Sequence, residues 1–204
     1  MPIHIIGCGA TGSWVNTILT RMGFNNIIIY DFDTVEEHNI ANQDYIQADI
    51  GELKVNATFN KMLNINPDCI ISAQNEKVTK RNSFKGIVFC LTDTMSSRKE
   101  IWENCIKNKI LVDCFIETRM GADQGMIYTI NPKKPSQVKA YEQTFYTDDV
   151  AETSLCGTSI SVLPTAMSIA SQAVWQMISF LNNTSYNNEI IINYKNNELF
   201  AQQF

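Results

Sequence analysis

The chain of 204 residues is poor in arginine: its 16 basic residues include only Arg21, Arg81, Arg98 and Arg119, set against 21 acidic residues. With a net charge of −5 and no basic run, it has little with which to displace counterions from a phosphate backbone, which excludes nucleic acid as a main partner. Histidine is limited to His4 and His38. The six cysteines (Cys8, Cys69, Cys90, Cys105, Cys114 and Cys156) contain no Cys-x-x-Cys pair, so a zinc site lacks its usual ligand spacing. They are also too few for a disulfide scaffold. Several lie in apolar runs such as residues 87–90, where a free thiol acts as a small hydrophobe, and a reducing, cytoplasmic compartment is expected. No signal peptide is legible ahead of the first glycine motif. Charge itself is scarce, at 18% of residues against roughly 25% in ordinary soluble domains. None falls between Glu152 and Glu189, and residues 160–181 are long enough for a membrane crossing. Pro164, Gln172, Gln176 and five hydroxyl side chains dilute that stretch, which predicts a buried helix and no membrane partner.

What is present is a regular alternation of strand and helix patterns over one domain, residues 1–204. Residues 2–6 form a β-branched run that stops at Gly7. Residues 11–22 carry apolar side chains at helical spacing, and residues 26–30 read as a second strand ending at Asp31. This βαβ unit requires a parallel sheet with a right-handed crossover. Helices are expected over 54–63 and 96–108, with strands over 69–73, 86–91 and 110–115. The fold class is α/β: a doubly wound, Rossmann-like, mostly parallel sheet formed by residues 1–115. Residues 116–204 add an antiparallel extension: a strand over 126–130, a long crossover loop over 131–158, the charge-free helix and a terminal hairpin turning at residues 195–197. Ligands of such sheets sit at the carboxyl ends of strands, here Gly7, Asp31 and Asp93.

Gly7-Cys8-Gly9-Ala10-Thr11-Gly12 matches G-x-G-x-x-G between a strand and a helix, the setting in which glycines let a phosphate approach the backbone and a helix N-terminus. Asp31, nineteen residues past Gly12, stands where a carboxylate binds both hydroxyls of a ribose, so a ribonucleotide ligand is expected. A nicotinamide dehydrogenase would share these features but gives no role to Asn39, Gln43 or Lys54.

From Asp31 onward the order Asp31-x-Asp33-x-Val35-x-x-x-Asn39-x-x-Asn42-Gln43, followed by Gly51-x-x-Lys54, resembles the ThiF/MoeB and ubiquitin-activating enzyme family, whose pattern is D-x-D-x-V-x-x-x-N-x-x-R-Q with a downstream G-x-x-K. The likeness continues through Leu91-Thr92-Asp93, Arg98, Asn104 and Gly125 to Cys156-Gly157 ahead of a helix rich in small residues. The resemblance implies ATP and Mg²⁺ as cofactors and adenylation of a carboxylate with release of pyrophosphate. The substrate would be the C-terminal tail of a small ubiquitin-like or sulfur-carrier protein or peptide, and the enzyme would work as a homodimer or heterodimer. Its implied nucleotide-binding residues are Gly7, Gly9, Ala10, Gly12, Asp31, Asp33, Asn39, Gln43 and Lys54. Asp93 is the implied metal ligand, and Lys54, Asp93, Asn42 and Cys156 the implied catalytic set, Cys156 as a thioester acceptor.

Plainer roles stay open beside these. Asp93 suits a helix cap, Lys54 a solvated first turn, Asn39 a turn, Asp33 a structural rather than metal-binding role and Cys156 a buried thiol. The chief departure is Asn42, which stands where the family pattern has arginine; an arginine on a transferring phosphoryl group can contribute ~10³ to 10⁵ in rate. Arg81 and Arg119 are the candidate substitutes. A catalytically weak nucleotide-binding scaffold that works with a partner chain is therefore the alternative function.

Overall fold

The computed structural model describes residues 1–148 and 162–204. One eight-stranded sheet runs through the molecule in the order β3-β2-β1-β4-β5-β6-β7-β8. The strands are β1 (Ile3–Ile6), β2 (Asn26–Asp31), β3 (Ile70–Asn75), β4 (Gly86–Cys90), β5 (Val112–Met120), β6 (Gln124–Ile130), β7 (Glu189–Asn193) and β8 (Glu198–Gln202). The first five pair in parallel and the last three join antiparallel, the doubly wound half with its antiparallel extension expected from the alternation.

Side chains of period two divide the core between the faces of the sheet. Ile3, Ile5, Ile27, Ile29, Ile87 and Phe89 point to one face, under helices α1 (Ala10–Arg21), α2 (Lys54–Ile65) and α5 (Leu163–Leu181). Ile6, Tyr30, Val88, Cys90 and Phe115 point to the other, where Trp102, Ile106 and Tyr141 pack from α3 (Met95–Ile101), the π-helical turn Trp102–Ile106 that continues it, and α4 (Pro135–Glu142). The five cysteines among the described residues are buried free thiols whose ionisation burial opposes, as expected of core residues.

Three expectations change. The crossover loop contains α4, started by Pro135 at its first turn and fastened by the fully buried Tyr141. Residues 149–161, and with them Cys156, lie outside the described residues. The fifth strand begins later and runs longer than the apolar pattern suggested: Ile110 and Leu111 are exposed after a left-handed turn at Asn108, while β5 continues through Glu117 and Arg119. Those charged residues can lie in a buried strand because they pair with one another. The charge-free helix is not buried all round. Its Ala166, Ile169, Ala170, Ala173 and Met177 face the core beside α1, and Trp175 and Met167 face outward. Among the described residues no helix is long and apolar enough to cross a membrane.

Candidate functional site

The site begins where β1 meets α1. Gly7 turns the chain at φ +99°, a conformation that costs glycine nothing, and its N–H donates to the Tyr30 carbonyl at 2.8 Å. Gly12 is the packing glycine of the motif: a Cβ there would stand 1.9 Å from the Gly7 carbonyl oxygen, so α1 can rest directly on the turn. Gly12 does not line the cleft, whereas Gly7, Gly9, Ala10 and Thr11 do, in a cavity of about 810 Å³. Gly9 occupies the N-cap of α1 without a side-chain cap, which leaves helix N–H groups available to an anion.

β2 delivers Asp31 to the same cleft. Its carboxylate accepts the Cys8 N–H at 2.6 Å and the Asp33 N–H at 2.9 Å, which fixes the glycine turn and the following bend. Burial raises its pKa, and those two hydrogen bonds and Lys54 oppose the rise. Each carboxylate oxygen keeps a further lone pair for a ligand hydroxyl.

Lys54 opens α2, where the helix dipole disfavours a cation, yet it is buried and its Nζ lies 3.0 Å from Asp33 Oδ2. Asp33, half exposed, thus has a structural partner as well as a place on the cleft wall.

The segment between β2 and α2 folds into the 3₁₀ turns Glu37–Ala41 and Gln47–Asp49. The Asn39 side-chain Oδ1 accepts the Glu36 N–H at 2.9 Å, so this residue does form a turn, and it lines the cleft with Asn42 and Gln43. What holds the segment in place is Asp44 and Tyr45, neither evident from the motif. Asp44 accepts the Thr17 hydroxyl and pairs with Lys61 at 2.9 Å, and its N–H donates to Ser13 Oγ at 2.9 Å. The buried Tyr45 hydroxyl donates to the Cys8 carbonyl at 2.7 Å, tying the segment to the glycine turn. An aromatic side chain inside a polar stretch was the one sequence signal for it.

Across the cleft, the β4–α3 loop presents Asp93. The helix cap is Thr94, whose Oγ1 accepts the Ser97 N–H at 3.2 Å, and the exposed Asp93 carboxylate makes no hydrogen bond or ion pair among the described residues. Arg98 lines the cleft, but its guanidinium is spent on the protein. Nε pairs with Glu117 at 2.8 Å, Nη1 donates to the Asp93 carbonyl at 3.3 Å, and Nη2 donates to the carbonyls of Thr92 and, at 3.1 Å, Thr118. Arg119, one candidate for the missing arginine, is bound to Glu117 and Thr144 and stacked on Tyr128 at 4.3 Å, away from the cleft. The other candidate, Arg81, is exposed and also outside it.

The structure therefore brings Gly7, Gly9, Ala10, Asp31, Asp33, Asn39, Asn42, Gln43, Lys54 and Asp93 to one cleft at the carboxyl ends of β1, β2 and β4. A glycine turn, a strand-end carboxylate and a helix-start lysine gathered at the switch point of a doubly wound sheet define a Rossmann-like α/β protein. Within that class the chain belongs to the ThiF family, whose model matches residues 1–204. It is 25% identical over 184 residues to ubiquitin-like modifier-activating enzyme 5 of Caenorhabditis briggsae, a match that takes in 82% of this chain and 43% of the relative. It is 35% identical over 94 residues to the enzyme of the same name from Bombyx mori, covering 46% of this chain and 23% of that one. The chain thus spans less than half the length of these relatives. Among solved structures, Escherichia coli MccB with ATP superposes with a TM-score of 0.73 at 18% identity, over 99% of this chain and 63% of MccB. PaaA superposes with a TM-score of 0.76 at 16% identity, over 100% of this chain and 73% of PaaA. These likenesses show the fold.

Proposed function

We propose that this protein binds ATP with Mg²⁺ and adenylates the C-terminal carboxylate of a ubiquitin-like protein, sulfur carrier or peptide. The observation that carries the reading is the convergence of Asp31, Lys54 and Asp93 on the cleft floored by the glycine turn. Relatives named for activating ubiquitin-like modifiers, and a structural neighbour solved with ATP, support it. A carboxylate oxygen of the tail attacks the α-phosphorus, the bond to the bridging oxygen breaks, and pyrophosphate leaves with that electron pair. The step brings anions together, so its rate depends on fixed positive charge and aligned dipoles.

Asp31 would hold the ribose, the turn N–H groups and Asn39 the phosphates, and Lys54 the developing charge. An ammonium about 4 Å from a phosphate contributes on the order of 4 kcal/mol at an effective dielectric near 20. Mg²⁺ fits the donor set, since it commonly takes one carboxylate, here Asp93, with phosphate oxygens and water completing its shell. When bound it supplies Lewis acidity to the phosphates. Among the described residues no group of three metal-binding side chains stands together, which agrees with a metal brought in by the nucleotide rather than caged by the protein.

Asn42 offers hydrogen bonds without charge, and Arg98 and Arg119 are committed elsewhere. That observation favours, as the second reading, a nucleotide-binding subunit of low intrinsic activity that works with a partner chain. ATP–pyrophosphate exchange with a small carrier protein encoded nearby decides: exchange dependent on carrier and Mg²⁺ is the expected result, and ATP binding without exchange would leave the scaffold. Capture of the acyl group by Cys156 is a separate expectation, checked by mass spectrometry for a thioester on that residue.

A further inference from the structure

Glu117 is the most deeply buried carboxylate described, with no exposure, and it stands outside the sequence motifs. It pairs with Arg98 Nε at 2.8 Å and with Arg119 Nη2 at 2.9 Å, and it accepts the Tyr141 hydroxyl at 2.9 Å. A buried Arg–Glu–Arg cluster is a poor device for stability alone, because apolar residues of like volume commonly serve as well or better. What such a cluster does well is fix direction. Here the fixed group is Arg98: the Glu117 carboxylate stands 2.8 Å from Nε as a counter-ion without a hydrogen bond to it, and the two Nη atoms donate to the carbonyls of Thr92, Asp93 and Thr118. The first two belong to the main chain that carries Asp93 and the third to β5, so Arg98 ties that loop to the neighbouring strand, and an exposed loop side chain is placed only as well as its backbone is.

We infer that Glu117 is a positioning residue for the phosphate and metal end of the cleft, acting through Arg98 on the loop that presents Asp93. The inference rests on the reading of Asp93 as the group that meets Mg²⁺ and the phosphates. It separates two ends of one ligand: among the described residues Asp31, at the ribose end, shares no hydrogen bond or ion pair with the cluster, and the phosphate end depends on it.

The test is calorimetric titration of the full chain with adenosine and, separately, with ATP in excess Mg²⁺. Glu117→Gln keeps the volume and removes the charge that orients Arg98. It should weaken ATP·Mg²⁺ binding about tenfold or more, raise the Mg²⁺ concentration needed for half-maximal ATP binding, and leave adenosine affinity within twofold of wild type. Arg98→Lys keeps the positive charge, loses the fork and should show the same selective loss. It carries the test where Glu117→Gln fails to fold by near-ultraviolet circular dichroism. Equal loss of both ligands, or no loss of either in a folded variant, overturns the inference. Failure of the wild-type protein to bind ATP·Mg²⁺ removes the nucleotide reading itself, and the inference with it.

Discussion

Lys54 illustrates how a single residue reveals a site. It is a buried cation at the first position of a helix, where the dipole opposes it, and its stem is enclosed while its Nζ meets Asp33. Asp33 gives that cation one partner, and the proposed nucleotide would give it a second, a phosphate. Lys54→Met should therefore split function from stability. Affinity for ATP·Mg²⁺ should fall about 10- to 100-fold, a part of the unscreened Coulomb energy, while the urea midpoint stays level or rises slightly. Titration of ligand and of denaturant on the same preparation reads both. The places of Lys54, Asp31 and Asp93 on one cleft were legible in the sequence because they follow from local position, at a strand end or a helix start. Arg98 was legible as a position of the family pattern beside Asp93, but its pairing with Glu117 was not, nor were Tyr45 and Glu117, because each is defined by a partner from another part of the chain: Cys8 for Tyr45, and a helix meeting a later strand for the pair.

At the scale of elements, the strand–glycine–helix opening was read almost residue for residue, since the motif fixes both the stop of β1 and the start of α1. Its cost of alteration is correspondingly local. A Cβ at position 12 meets a backbone oxygen at 1.9 Å, and neither the turn nor the helix offers a flexible side chain that could yield. Gly12→Ala should destabilise the fold by about 3 kcal/mol, at the upper end of ordinary overpacking, and a lowered urea midpoint with loss of adenosine binding checks it. The helix α4 and the second half of β5 were missed for opposite reasons. α4 is short and polar outside, and only Val138 and Tyr141 give it a buried hydrophobic side, too little for a clear period. β5 breaks the apolar pattern with Glu117 and Arg119, whose charges cancel only once the fold has placed them together.

The whole molecule has a pH dependence that no motif foretells. His4, on β1, is enclosed by Phe84 at 5.0 Å between ring centres and shares a hydrogen bond of 3.1 Å with the Tyr30 hydroxyl. Burial lowers its pKa from 6.5 to about 4, against a hydrogen bond to the Lys85 backbone that raises it. Between those values the unfolded chain takes up a proton that the native protein refuses. Stability from this residue is therefore complete above pH 6.5 and declines as pH falls toward 4. His4→Phe should flatten the fall in urea midpoint between pH 7 and pH 5 relative to wild type, with the carboxylates titrating alike in both proteins. The overall architecture was accessible from sequence because alternation of elements dictates a parallel sheet. The division of its core between two faces came only with the strand order.

Among the described residues, every side chain on the cleft wall comes from Ile6 to Ile101, or from Thr118 and Met120 on β5. Nothing from β6 to β8 or from α5 touches it. The chain thus builds its cleft wall and its remaining surface from separate stretches of sequence within one sheet. Exposed residues after Met120 can vary without touching that wall, provided Tyr141 and Thr144 keep their bonds to Glu117 and Arg119 and α5 keeps the inner face of Ala166, Ile169, Ala170, Ala173 and Met177 that seats it in the core. A chain built on this plan can change its outer surface at one end of the sequence while the cleft at the other end stays as it is.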